Sequence, residues 1–255
     1  MINLCQLNIM VTRPDPQAAS LCDLIKKYGG RAVHFPTIAF APPQDLNAFQ
    51  QAIPMLGEQE WLIFNSPRAV YSSVVSIRRA WPQLPQEVKF AAVGGGTAKV
   101  LRQAGYEVAV HPTTEWSSEA LLALPEFQSI VGKKIAIIRG AGGREWLDKT
   151  LVERGAQVLQ VIAYERVLPQ VMIDDVLQLL KHHKIDIIVC TSFEGVKNLK
   201  ILLGDTAWPY LKECRLIVVS ERIKRLAQDL GFQTIWIARN ASDTAILEAI
   251  VIPGH

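Results

Sequence analysis

The chain places the same few residue types, again and again, just after short apolar runs. Arg13, Ser66, Gly94-Gly95-Gly96-Thr97, Arg139-Gly140 with Arg144 beyond it, Thr191-Ser192 and Ser220 all stand there. Each run is rich in β-branched residues and is followed by a helical pattern, so each group falls at the C-terminal end of a strand. In open α/β sheets ligands bind outside those ends. Helix N-termini there carry unbonded N–H groups and the positive end of the helix dipole. Many weak donors and a few arginines suit a ligand with several carboxylates better than they suit a single strong nucleophile. Ser66, Ser192 and Ser220 fit plain helix caps equally well, but their recurrence at equivalent places in both halves favours a site. Tyr164 ends a strand where the chain leaves one half. A phenol there either packs or donates a hydrogen bond or proton to a leaving hydroxyl.

Other chemistries find little support. The glycine stretches 94–96 and 140–143 match neither GxGxxG nor GxxxxGK[ST], and tight turns explain them. His34, His111, His182, His183 and His255 show no metal-ligand spacing, and GxSxG is absent. The acidic residues fall mostly on helix faces, with Glu165 beside Tyr164 the exception.

The elements that must position these groups are clearest at 138–169. There a buried strand, a glycine-rich turn, a helix with Trp146, Leu147, Leu151 and Val152 as its apolar stripe, a stop at Gly155 and a second strand follow in order. The same order opens the chain: a strand to Arg13, a helix over 15–27, Gly29-Gly30, and a strand over 31–38. Further helices are expected over 46–55, 98–104, 117–124, 195–203 and 244–250. The halves overlay: FNSPRAV (64–70) on CTSFEGV (190–196), and SSEALLAL (117–124) on SDTAILEA (242–249). Alternating strands and helices predict an α/β fold of two similar parallel-sheet lobes. The first lobe is discontinuous, 1–36 with 165–255, and the second spans about 44–161. Segments 37–43 and 162–169 are expected to form a two-stranded hinge that permits lobe closure.

Composition sets the bounds. The 255 residues allow two domains of about 120 each. At 49% hydrophobic and 20% charged the chain reads as an ordinary globular protein. No apolar run approaches the ~18 residues of a membrane span, and no signal peptide is expected. The four scattered cysteines form no CxxC pair and fit a reducing, cytoplasmic setting. A net charge of +3 is too small for a nucleic-acid footprint and compatible with an anionic small molecule.

Taken in order, VTRP (11–14), FNSPRAV, AVGGGTAKVLRQAG (92–105), SSEALLAL, IRGAGGREWL (138–147), VIAYERV (161–167), CTSFEGVKNL (190–199), VSERIKRLAQDLGF (219–232) and ASDTAILEAI (241–250) resemble the uroporphyrinogen-III synthase family almost end to end. The resemblance implies a monomer without metal or cofactor. Its implied substrate is hydroxymethylbilane, a linear polycarboxylate tetrapyrrole handed over transiently from hydroxymethylbilane synthase, with no nucleic acid or membrane involved. The implied reaction is loss of the terminal hydroxyl, closure through a spiro intermediate, and inversion of the last pyrrole ring. By this resemblance Tyr164 is the residue tied to catalysis. Arg13, Ser66, Gly94, Thr97, Arg139, Gly140, Arg144, Thr191, Ser192 and Ser220 fall on or beside positions that line the cleft. The chain departs from the family pattern at Asn65 and Ile223, where other members carry threonine. Two rival readings remain at this level: a non-catalytic two-lobe binding protein for an anionic small molecule, and a nucleotide-dependent α/β enzyme.

Overall fold

A computed structural model describes residues 2–143 and 145–251, so Arg144 lies outside the described residues. The chain divides into two compact units, Met1–Ala39 with Val167–His255, and Phe40–Arg166. Elements are numbered in chain order.

The first unit is built on a five-stranded sheet of β1 (Asn8–Val11), β2 (Arg31–His34), β9 (Ile187–Val189), β10 (Arg215–Val218) and β11 (Ile235–Ile237). The strand order is β11-β10-β9-β1-β2, and every neighbouring pair is parallel. Successive residues of a strand face opposite sides. Met10, Ile188 and Leu216 therefore join a core under α7 (Asp174–Lys181), α8 (Phe193–Glu213) and α9 (Glu221–Asp229). Ile9, Val11, Ile187 and Ile217 join another under α1 (Ala19–Lys27) and α10 (Asp243–Val251). Burial on both faces explains the unbroken apolar runs.

The second unit has six strands, β3 (Ala39–Ala41), β4 (Trp61–Phe64), β5 (Lys89–Ala92), β6 (Val108–Val110), β7 (Lys134–Gly140) and β8 (Gln157–Val167), in the order β3-β8-β7-β4-β5-β6. From β4 to β8 the pairs are parallel. The helices are α2 (Leu46–Ala52), α3 (Pro67–Ala80), α4 (Gly95–Gln103), α5 (Ser118–Leu122) and α6 (Trp146–Glu153). Read from β6, the order β6-β5-β4-β7-β8 repeats β11-β10-β9-β1-β2 once β4 is matched to β9 and β7 to β1. The α/β duplication expected from the sequence is thus a duplication of topology.

Several boundaries differ from expectation. Helix α1 begins at Ala19 rather than residue 15, because residues 15–18 form a turn that contains Pro16, which lacks an amide donor. Helix α2 gives way at Ile53 to a 3₁₀ turn, Ile53–Glu58, that contains Pro54. Helix α4 starts at Gly95, so the glycine triplet supplies its cap and first residues instead of preceding it. Helix α8 runs on past Leu203 to Glu213, interrupted at Gly204, where φ is 65°. In α6 the inward residues are Leu147, Asp148 and Leu151, while Trp146 and Val152 are 43% and 56% exposed.

Candidate active site

In the second unit Ser66, Arg139, Gly140 and Tyr164 are brought to one recess of about 190 Å³, together with Asn65, Ser118, the turn 141–143 and Arg166. Ser118 opens α5 after β6, and the others stand at the C-terminal ends of β4, β7 and β8 or in the segments after them, where parallel topology gathers helix N-termini. Ser66 caps α3, its Oγ accepting from the Ala69 amide at 3.2 Å. The same Oγ lies 3.1 Å from the Tyr164 hydroxyl. Tyr164 is 5% exposed, and its ring meets Phe40 edge-on with centroids 5.5 Å apart. The guanidinium of Arg68 sits over that phenylalanine at 4.7 Å. Asn65 Oδ1 is buried in the recess wall with no hydrogen-bond partner among the described residues.

Gly140 explains how the phenol comes to be there. The β7–β8 register shifts at Arg139/Gly140, setting Gly140 opposite Tyr164. A Cβ on Gly140 would lie 2.5 Å from Tyr164 Cζ, so the ring occupies the space that a side chain would fill. Beyond it, Gly142 and Gly143 have φ of 70° and 91°, a conformation that side chains disfavour. The Ala141 amide ties the turn to β8 by donating to the Tyr164 carbonyl at 2.8 Å.

Arg139 is 5% exposed. Its Nη1 donates to Asp148 Oδ2 and its Nη2 to the Gly142 carbonyl, each at 2.7 Å. Burial pushes the Asp148 carboxyl up from its ordinary range, and the Arg139 guanidinium opposes that shift. Sequence reasoning missed Asp148, which resembles any helix-face acid. It also passed over Arg166, which period-two alternation from Tyr164 along β8 would have found.

Gly94 caps α4 just after β5, Thr97 lies in the first turn of that helix, and neither is among the residues lining this recess. Gly94 has φ of −156°, which any residue adopts, and the constraint on a side chain there is a tight approach: a Cβ would meet Trp116 Cβ at 3.0 Å. Trp116 is 72% exposed, and Thr97 is buried within α4. Ser117, just after it, caps α5 through the Ala120 amide at 3.0 Å.

In the first unit, Ser192 and Ser220 cap α8 and α9, accepting from Gly195 and Ile223 amides at 2.9 and 3.4 Å. Thr191 is half-buried beside Ser192. Arg13 is 9% exposed and turned inward, paired with Asp243 in the first turn of α10 and donating to the Ala241 carbonyl at 2.6 Å. Asp243 keeps partial contact with solvent, so Arg13→Ala is expected to lower unfolding free energy by about 2 kcal/mol, the value of a hydrogen bond to a charged group, read from the urea midpoint. An unchanged midpoint would show that the Arg13–Asp243 pair adds nothing to stability.

Among the described residues no group of three His, Cys, Asp or Glu side chains could hold a metal ion, and no helix is long and apolar enough to cross a membrane. The four cysteines are free thiols and only Cys5 is exposed. Burial pushes Cys214 up to about 12 and raises Cys190, so neither offers a thiolate nucleophile near neutral pH.

Known proteins match this chain over nearly its whole length. The profile of a family described as "Uroporphyrinogen-III synthase HemD" matches residues 19–248. The uroporphyrinogen-III synthase of Escherichia coli is 36% identical over 250 residues, covering 96% of this chain and all of that protein. That of Salmonella typhimurium is 34% identical with the same coverage. Among solved structures, a mutant uroporphyrinogen III synthase from Thermus thermophilus superposes with a TM-score of 0.64 at 16% identity, covering 96% of this chain and 97% of the other. The Helicobacter pylori protein gives 0.57 at 19% identity, covering 95% and 97%. The structures establish a shared fold. The profile and the sequence relatives, spanning the strand ends described above, establish that this chain belongs to the uroporphyrinogen-III synthase family.

Proposed function

We propose that this chain is a uroporphyrinogen-III synthase, a lyase of tetrapyrrole biosynthesis that converts hydroxymethylbilane to uroporphyrinogen III and releases water. The observation that carries the reading is the phenol of Tyr164, held by Ser66 in a recess edged by a glycine-rich turn, in a chain of this family. A serine hydroxyl has one proton and two acceptor sites. Oγ of Ser66 accepts from the Ala69 amide and can donate to the Tyr164 oxygen, which leaves the phenolic proton for the substrate. Transfer of that proton to the terminal hydroxyl accompanies cleavage of the C–O bond. Water departs, the pyrrole nitrogen supplies the electron pair while keeping its proton, and a protonated azafulvene, an azafulvenium cation, remains beside the phenolate. Attack from the substituted position of the last pyrrole gives the spiro intermediate, which fragments and recloses with that ring inverted. The proton lost when the macrocycle regains its pyrrole returns to the phenolate.

Free bilane closes to the non-inverted isomer I, so the protein must above all hold the two ends in one geometry. Carboxylate side chains suit the amides at the starts of α3, α4, α8 and α9, which Ser66, Gly94, Ser192 and Ser220 cap, with Thr191 beside them. Arg13 and Arg139 act from behind by shaping the strand ends, Thr97 by packing within the first turn of α4, and Arg144 is proposed as a further cation for a carboxylate. The reading carries with it a monomer without cofactor, in the cytoplasm, that takes its substrate from hydroxymethylbilane synthase.

Isomer analysis tests it. Purified protein given fresh hydroxymethylbilane should yield mainly isomer III, in proportion to protein concentration. Isomer I alone, at the uncatalysed rate, would overturn the reading and favour a non-catalytic binding protein for an anionic small molecule.

A further inference from the structure

Asp148 has no part in the reaction just described, yet its side chain is only 5% exposed. Its Oδ2 accepts two hydrogen bonds at 2.7 Å, from Arg139 Nη1 on β7 and from Gln160 Nε2 on β8. Its Oδ1 is buried with no partner among the described residues. A buried, half-satisfied carboxylate is a poor source of stability, since an apolar residue of similar size commonly serves as well. What this one secures is a direction. Arg139, clamped by Asp148, turns its other nitrogen to the Gly142 carbonyl at 2.7 Å. That carbonyl belongs to the first of two consecutive left-handed glycines, whose own amides have no backbone acceptor among the described residues. The turn they form edges the Tyr164 recess.

We propose that Asp148 is a positioning residue. Through Arg139 it holds the 140–143 turn in the shape that presents the Gly142 and Gly143 amides to a substrate carboxylate. The inference rests on the tetrapyrrole reading, because it names the group that those amides meet. The amides bind the carboxylate throughout the reaction, so their loss weakens ground state and transition state alike.

The test is Asp148→Asn in the full chain, a near-isosteric change that removes the charge. KM for hydroxymethylbilane should rise about tenfold, the value of a charge-assisted hydrogen bond, while kcat per folded molecule falls less than threefold. Amide hydrogen exchange of the peptide spanning 140–143 should quicken more than that of β7. Should this variant fail to fold, Gln160→Leu removes one of the two donors from an exposed position and should raise KM about threefold, with the same local exchange signature. Unchanged KM and unchanged exchange in the turn, alongside a lowered melting temperature, would make Asp148 merely structural and overturn the proposal. Formation of isomer III by the unsubstituted protein reports separately on the function, so the two ideas can fail independently.

Discussion

Replacing Tyr164 by phenylalanine is expected to leave a folded protein whose turnover falls about a hundredfold, the low end for loss of a positioned general acid. The ring is what the fold uses: it fills the space over Gly140 and meets Phe40 edge-on, and phenylalanine keeps both contacts. The hydroxyl makes one hydrogen bond, to Ser66 Oγ, which also has the Ala69 amide as a partner. Its removal should cost about 1 kcal/mol of stability. The substitution therefore separates packing from proton donation. Single-turnover formation of isomer III, with the folded fraction from circular dichroism, is the measurement. A rate within twofold of the parent would take the phenol out of the chemistry and leave it a packing group.

Gly140→Ala should lose turnover at least as far, by a different route, and should also lower stability by about 2 kcal/mol. The backbone at Gly140 is not among the positive-φ glycines, so alanine is not excluded by its dihedral angles. The obstacle is the 2.5 Å approach of the new methyl to Tyr164 Cζ, with Cε2 at 2.6 Å. Backbone pairing across β7 and β8 fixes both residues, so the ring must swing and its hydroxyl must leave Ser66. Pairing Gly140→Ala with Tyr164→Leu should recover much of the melting temperature and none of the activity, a coupling that a double-mutant cycle reads directly. Equal melting temperatures for the parent and Gly140→Ala would show that the strand pair yields more easily than this geometry implies.

What the sequence made legible was local. The serine caps at 66, 192 and 220 were readable because a cap reports on an amide three residues ahead. The duplication into two similar parallel-sheet units was readable because the repeated segments run in the same succession, while the strand order came only with the structure. Opaque features depend on which way an element is rotated, or on approach between distant segments. Asp148 could not be recognised because the four-residue apolar stripe of α6 suggested that Trp146 and Val152 face inward. The helix is rolled instead to bury Leu147, Asp148 and Leu151, with Arg139 nine positions earlier making the carboxylate tolerable. The arginine pairs were equally out of reach. Their places at strand ends suggested contacts with a ligand, and nothing local announced that Arg13 pairs with Asp243 and Arg139 with Asp148. The second half of α8 escaped because Gly204 and Pro209 break a pattern that the chain then resumes.

The interleaving of the two units bears on how a ribosome delivers this protein. Strand β1 is made first but sits between β2 and β9, and β9 begins only at Ile187. The first unit therefore cannot close its sheet until most of the chain exists. Phe40–Arg166 is contiguous and has all its own strands once β8 is made. Domains fold as units while the chain is still being synthesised, so the unit that starts second is the one that finishes first. The opening segment of β1, α1 and β2 must wait meanwhile, with Ile9 and Val11 still lacking the strand that will cover their edge.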